Sequence, residues 1–215
     1  MSELSKMKIL HRIQAALKQS TSKPYPDFQR PASFYQTPEG DIPLAVMFAE
    51  EFTKVSGKFV YCESEGIFLN TITELAHTEG WTYLYCWEEN LQEIFEEMDF
   101  RNCRIGRNLE KSHAGLTLCE CLIARTGTII LSSAQASGRQ LSIFPPIHLV
   151  VAYTSQLWYD IGEGLTLIQQ KYGLNMPSMI SLATGPSRTA DIEKTLVLGA
   201  HGPKEVYLFL IEDEI

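Results

Sequence analysis

Segments typical of strands and helices alternate between residues 58 and 105, and this alternation constrains the fold more than any other feature of the sequence. The strand-like segments are short and rich in β-branched and aromatic residues, whereas the segments between them carry apolar residues three or four positions apart. The strands are predicted at 58–62, 82–86 and 103–105, and the helices at 66–79 and 88–98. Because strand–helix–strand units build parallel sheets, we predict an α/β fold with a mostly parallel sheet flanked by helices.

The middle of the chain has a different character, with apolar, β-branched stretches at 118–124, 127–132 and 147–153. These stretches predict closely connected strands, for which antiparallel pairing is one arrangement, inserted in the main sheet or at its edge. Beyond them we predict a helix at 155–171, a strand at 178–183, a helix at 189–198 and a closing strand at 206–211.

The N-terminal part differs from the rest of the chain. Residues 2–18 have the apolar spacing of an amphipathic helix, and residues 21–40 hold four of the ten prolines, which predicts an extended arm. We therefore divide the chain into a helix and arm at 1–40 and an α/β domain at 41–215. That domain should open with a helix at 41–56, with Asp41 as its N-cap and Pro43 in its first turn. Four aromatic residues in the arm suggest that it anchors on the same chain or on a second copy, so a homo-oligomer is one expectation.

Charge, hydropathy and cysteine spacing exclude several classes of protein. The chain has 18 basic and 26 acidic residues, a formal net charge of -8, which disfavours broad nucleic-acid binding. It has no apolar run long enough for a membrane span, and its start lacks the apolar core of a secretory signal. The five cysteines include no CxxC pair and no iron–sulfur spacing, so we expect reduced thiols, a cytoplasmic location and neither a metal nor a cluster bound by this chain alone.

Three glycine-containing turns adjoin apolar strands and are the predicted ligand site. The first holds Thr126, Gly127 and Thr128, and the third holds His201 and Gly202. The second follows the predicted strand at 178–183 and has the pattern of a capped helix start, whose free N–H groups, with an arginine beside them, suit an anion. Its residues are Gly185, Ser187, Arg188, Thr189 and Asp191.

An anionic small molecule, such as a carboxylate or a phosphate, fits the uneven distribution of charge. Residues 100–139 carry six basic side chains against Glu110 and Glu120, and they surround predicted strand ends. The basic residues are Arg101, Arg104, Arg107, Lys111, Arg125 and Arg139. Glu120 and His201 are the candidate catalytic residues, because a carboxylate and a loop imidazole can act as acids or bases. His148, within an apolar strand, is predicted to be a core residue.

Three segments, in their order and spacing, resemble the LUD domain and specifically the lactate utilization protein C family. They lie at 117–128, 138–148 and 185–203. The resemblance implies the fold of sugar-phosphate isomerases and CoA transferases (NagB/RpiA/CoA transferase-like). It also implies a role beside iron–sulfur partner proteins in oxidising L-lactate to pyruvate. One position departs from the family pattern: Arg125 stands where the family usually has a glutamate, so a carboxylate role at this position is not carried over.

The preferred functional hypothesis is an accessory or substrate-handling subunit of a lactate-oxidising system, with the iron–sulfur clusters on its partners. Two alternatives remain open on the sequence. One is a stand-alone enzyme acting on an anionic acyl, phosphate or folate-like molecule, and the other is a noncatalytic ligand sensor or scaffold. The motifs of metalloproteases, standard serine hydrolases, P-loop NTPases and standard dinucleotide-binding proteins do not occur in the sequence.

Overall fold

The computed structural model describes residues 3–18, 42–97, 103–104, 106, 108–190 and 196–213. The chain divides into two compact units between residues 41 and 42. In the first unit, α1 (Glu3–Leu17) forms where a helix was predicted at 2–18, and Met7, Leu10, Ile13 and Leu17 are exposed on it. None of the described helices is long and apolar enough to cross a membrane.

The second unit contains the other helices and the strands. The helices are α2 (Leu44–Lys54), α3 (Glu65–Thr78), α4 (Glu89–Glu97) and α5 (Ile161–Tyr172). The strands are β1 (Lys58–Cys62), β2 (Leu84–Cys86), β3 (Cys103–Arg104), β4 (Ala114–Leu118), β5 (Cys121–Ile123), β6 (Thr128–Ser132), β7 (Ile147–Tyr153), β8 (Leu157–Trp158), β9 (Ile180–Ala183), β10 (Arg188–Ala190), β11 (Leu196–Leu198) and β12 (Glu205–Ile211).

Six strands form the main sheet in the order β1-β12-β7-β4-β2-β3, and every neighbouring pair in it is parallel. Its central strands are buried on both faces, as their continuous apolar sequences require. Aromatic and aliphatic side chains of α3 and α4 pack on one face, and α2 covers part of the other. The predicted α/β fold, a mostly parallel sheet flanked by helices, is therefore confirmed.

A second sheet, in the order β8-β5-β6-β9, packs with α2 against the main sheet. β6 is antiparallel to both β5 and β9, so the predicted antiparallel pairing occurs, but in a separate sheet. The segment predicted as one strand at 118–124 forms β5 of the second sheet at Cys121–Ile123, and only Leu118 belongs to β4, whose residues 114–117 were not predicted. β7, which was grouped with these strands, instead lies in the middle of the main sheet.

Three local predictions were wrong. In the segment predicted as a helix at 189–198, the described residues belong to two strands, β10 and β11, which pair antiparallel with Thr189 opposite Val197. The segment predicted as a helix at 155–171 contains a 3₁₀ turn and β8 before α5 begins at Ile161, where Asp160 supplies the N-cap. Pro43 is at the N-cap position of α2, whereas Asp41, the predicted cap, lies outside the described residues.

The order of the main sheet creates a switch point between β2 and β4. From β2 the chain continues through α4 to β3 on one side, and from β4 it continues through the second sheet to β7 on the other side. The two connections also cover opposite faces of the main sheet. In open α/β sheets, ligands bind outside the carboxyl ends of the strands at such a point.

Candidate functional site

The three predicted glycine turns come together around the C-terminal end of α2. The hydroxyl oxygens of Thr126 and Thr128 are 2.7 Å apart, and that of Thr128 is 2.8 Å from the hydroxyl of Thr184, next to the second turn. The second turn contacts the third through Ser187, whose N–H donates to the carbonyl of Pro203 at 2.9 Å. We name these turns, at 126–128, 184–189 and 201–203, the turn cluster.

The glycines of the turn cluster are explained by close packing on α2. Gly127 has a left-handed backbone (φ 58°), and a Cβ atom there would lie 2.4 Å from the backbone nitrogen of Phe52. Gly185 is also left-handed (φ 77°), and its Cβ atom would lie 2.6 Å from the carbonyl oxygen of Val55. Both positions have a left-handed backbone and leave no room for a Cβ atom, so glycine is the residue that fits.

Arg188 also contacts the end of α2. Its guanidinium donates to the carbonyl of Val55, the C-cap residue, and to the hydroxyl of Ser56 at 2.8 Å. A cation at a helix C-terminus is favourable because it faces the negative end of the helix dipole. Arg188–Ala190, where the N-terminus of a helix was expected to bind an anion, form β10 instead, so that part of the predicted anion site is wrong.

The turn cluster lies at the amino-terminal edge of the main sheet. Val55 and Ser56 come just before β1, and the third turn comes just before β12, so these residues are near the amino ends of parallel strands. His201 is exposed there, and Gly202 approaches Ser187 closely. Asp191 lies outside the described residues. Ligand binding by the turn cluster stays a prediction.

Arg125, which stands where the family usually has a glutamate, forms an ion pair with an acid of this chain. Its guanidinium binds Asp160 through two nitrogens, at 2.9 and 2.8 Å from one carboxylate oxygen. Asp160 is also the N-cap of α5, where it accepts from the N–H of Gly162. Arg125 thus joins the 3₁₀ turn at Ala124–Thr126, which precedes β6, to the start of α5.

Glu120, the candidate acid, is buried at the carboxyl end of β4. Its side chain is 1% exposed. One carboxylate oxygen accepts from the hydroxyls of Ser132 at 2.5 Å and Tyr172 at 2.7 Å, and the other accepts from the ammonium of Lys171 at 2.8 Å. We name these four residues the Glu120 cluster. It joins the main sheet, the end of β6 and the last turn of α5.

The Glu120 cluster holds a charged pair at neutral pH. Burial opposes ionisation of Glu120, but the hydrogen bonds from Lys171, Ser132 and Tyr172 outweigh it, so the pKa of Glu120 is lowered. Burial likewise acts to lower the pKa of Lys171, yet its hydrogen bond to Glu120 prevails and the pKa is raised. The side chain of Lys171 is 56% exposed, and of its three N–H donors one is used on Glu120. The protonated amine suits an electrostatic role and not that of a nucleophile.

A second buried acid, Glu88, lies beyond the carboxyl end of β2, the neighbour of β4. It accepts a hydrogen bond at 3.2 Å from the N–H of Ser137, in the segment that follows Ser132. Residues 132–137 therefore contact acids on both sides of the switch point. Glu88 was not among the predicted site residues, although an acid two residues after a predicted strand is a usable signal for this edge.

A cavity of about 410 Å³ lies at the carboxyl ends of β1, β7 and β12. Its lining includes the carboxylates of Glu65, Glu212 and Asp213, so its charge disfavours a small anion. Among the described residues, no group of three or more His, Cys, Asp or Glu side chains is arranged to hold a metal ion.

His148 is a core residue, as predicted. It is 1% exposed, and its Nε2 atom is 2.9 Å from the hydroxyl of Thr117. Burial lowers its pKa to about 4. Since the unfolded chain takes up this proton near pH 6.5 and the folded chain only near pH 4, His148 destabilises the fold progressively as the pH falls through that interval.

Comparison with known proteins identifies the family. The profile of the LUD domain family matches residues 46–211, which is most of the chain. The chain therefore belongs to the LUD domain family. Its fold is also similar to that of a solved structure, a DUF162 family protein from Deinococcus radiodurans. The TM-score is 0.55 at 19% sequence identity, over 78% of this chain and 96% of that one.

Curated relatives point to one branch of this family. An uncharacterized protein of Neisseria meningitidis is 41% identical over 134 residues, which cover 60% of this chain and 54% of the relative. Lactate utilization protein C of Bacillus subtilis is 33% identical over 109 residues, 50% of this chain and 45% of the relative. The protein of the same name in Bacillus licheniformis is 35% identical over 106 residues, covering 48% and 44%. The matched segments span about half the length of these relatives.

Proposed function

We propose that the protein takes part in lactate utilization, as an accessory or substrate-handling subunit of a system that oxidises L-lactate to pyruvate. The observation that carries this proposal is the similarity to several proteins named Lactate utilization protein C, at 33% and 35% identity in two of them. It is supported by the LUD domain match across residues 46–211.

Lactate oxidation releases two electrons, which need an acceptor. We propose that iron–sulfur clusters on partner proteins accept them and that this chain handles the substrate. The four buried cysteines Cys62, Cys86, Cys119 and Cys121 are free thiols, and burial raises the pKa of Cys62 to about 11 and that of Cys121 to about 12. Such thiols are poor thiolate ligands at neutral pH and are typical of core residues in a reducing compartment, which supports a cytoplasmic location.

The experiment is a deletion of the gene in its source organism, followed by growth on L-lactate or on pyruvate as the carbon source. We expect loss of growth on L-lactate, normal growth on pyruvate, and restoration by the intact gene on a plasmid. Equal growth of the deleted and parent strains on L-lactate, in a strain whose lactate oxidation depends on a single system, would contradict the proposal.

A second measurement tests the partner claim. Tagged protein, expressed from its own locus and isolated without oxygen from lactate-grown cells, should copurify with proteins that contain iron and acid-labile sulfide. Isolation of the tagged chain alone from cells that are oxidising lactate would contradict an accessory role.

A further inference from the structure

The Glu120 cluster holds a buried carboxylate and a half-exposed ammonium in fixed positions, and the packing of α5 on the second sheet does not by itself require such a charged pair. An ion pair with a buried carboxylate contributes little to net stability, because desolvation of the carboxylate offsets much of its attraction to the cation. Here the carboxylate is held by three donors, and the ammonium that it fixes remains more than half exposed. A cation fixed by a buried acid at the carboxyl edge of a sheet is arranged in advance to bind an anion.

A second cation lies at the same end of β6. The hydroxyl of Ser133, the residue after Ser132, is 3.1 Å from the hydroxyl of Ser178. Arg139 donates to that hydroxyl of Ser178 at 2.8 Å and is itself exposed. Lys171 is therefore joined to Ser132 through Glu120, and Arg139 to Ser133 through Ser178, so both cations are attached to the corner of the fold where β6 ends.

We propose that Lys171 and Arg139 bind the carboxylate of a small 2-hydroxy or 2-oxo acid at this corner, with one hydroxyl of the Ser133–Ser178 pair as a further donor. The acid's identity rests on the proposed function, whereas the carboxylate site rests on the geometry. Charge-assisted hydrogen bonds from an ammonium and a guanidinium are the strong contacts that proteins use for carboxylates. Glu120 is a positioning residue in this site, since it acts by holding Lys171.

The test measures binding of sodium L-lactate and sodium pyruvate to the purified full chain by isothermal titration calorimetry, at constant ionic strength and with sodium chloride as the reference anion. We expect saturable binding of at least one of the two acids. Arg139→Met should weaken it about tenfold or more, the scale of one lost hydrogen bond to a charged group. Arg139 does not contact Glu120, so this variant leaves the buried carboxylate paired.

Lys171→Met would leave Glu120 buried without its cation, so the paired variant Glu120→Gln with Lys171→Met tests this side of the site without an unpaired charge. It too should weaken binding about tenfold or more. The matched control is Lys54→Met, which removes a lysine paired with Glu51 at 2.7 Å on the exposed surface of α2. This control should bind as the parent does.

Parent-like binding by the Arg139 and paired variants would overturn the site, as would the lack of saturable binding of either acid to the parent. If the deletion strain nevertheless fails to grow on L-lactate, the proposed function stands and only the proposed carboxylate site is wrong. If binding follows the predicted pattern and the deletion strain grows normally, the site stands and the proposed function is wrong.

Discussion

Gly127→Ala tests whether the turn cluster is shaped by packing on α2. Two positions have a left-handed backbone but different surroundings: a Cβ atom at Gly127 (φ 58°) would lie 2.4 Å from the backbone of Phe52, whereas one at Gly80 (φ 70°) would have no atom within 4 Å. A left-handed alanine costs roughly 1–2 kcal/mol, and loss of freedom in the unfolded chain offsets about half of that. Gly80→Ala should therefore destabilise the protein by about 1 kcal/mol.

At Gly127 the same backbone term applies, and the collision with α2 adds roughly 1–3 kcal/mol, the usual range for overpacking. The total is about 3 kcal/mol. The difference of about 2 kcal/mol between the two variants should lower the melting temperature of Gly127→Ala by about 4–8 °C more than that of Gly80→Ala. Urea denaturation with an unchanged slope would show that stability alone has changed. Equal melting temperatures for the two variants would refute the close packing of Gly127 on α2.

Three further outcomes follow from the described contacts. Between pH 7 and pH 5, the parent should lose about 2 kcal/mol of unfolding free energy that His148→Gln does not lose, because the unfolded state gains a proton there and the folded state does not; parallel pH profiles of urea unfolding would contradict a buried neutral His148. Arg188→Ala should lower the free energy of unfolding by about 1 kcal/mol, the contribution of an ordinary hydrogen bond at the end of α2. Calorimetry should show unchanged binding of L-lactate and pyruvate to this variant, whereas weaker binding would indicate that the ligand binds at the turn cluster. Asp160→Ala removes both the cap of α5 and the partner of Arg125, so it should destabilise by roughly 1–2 kcal/mol, and Asp160→Asn, which can still cap, should cost less; equal melting temperatures for the two would contradict the capping role.

Most of the main sheet could be predicted from the sequence, because β1, β2, β7 and β12 each carry an apolar signal, whereas residues 114–117 of β4 were not predicted. The pairing of β10 with β11 could not. Ser187, Asp191 and Glu193 have the spacing of a helix start, yet β-branched residues such as Thr189 and Val197 also favour strands. The pairing of β10 with β11 outweighs the local capping signals, and a short stretch of sequence does not show which of the two is more stable.

The candidate site was predictable in part. The turns at 126–128 and 184–189 were predicted from their glycines, and they do come together. The glycines, however, are explained by close packing on α2, and Arg188 by its hydrogen bonds to the end of that helix. Glu120 was singled out as an acid, whereas Lys171, 51 residues away, was not. Their contact depends on how α5 packs on the second sheet, and no sequence motif predicts a contact between residues so far apart in the chain.

The two candidate sites can be separated in one titration. In ¹⁵N-labelled protein with assigned amides, sodium pyruvate and sodium L-lactate should shift the signals of Glu120, Ser132, Ser133 and Lys171, at the carboxyl edge of the main sheet. The signals of residues 126–128, 184–189 and 201–202 should stay in place. Saturable shifts confined to those turns, with the signals of the Glu120 cluster unmoved, would contradict a carboxylate site at the switch-point edge and would assign the ligand to the turn cluster.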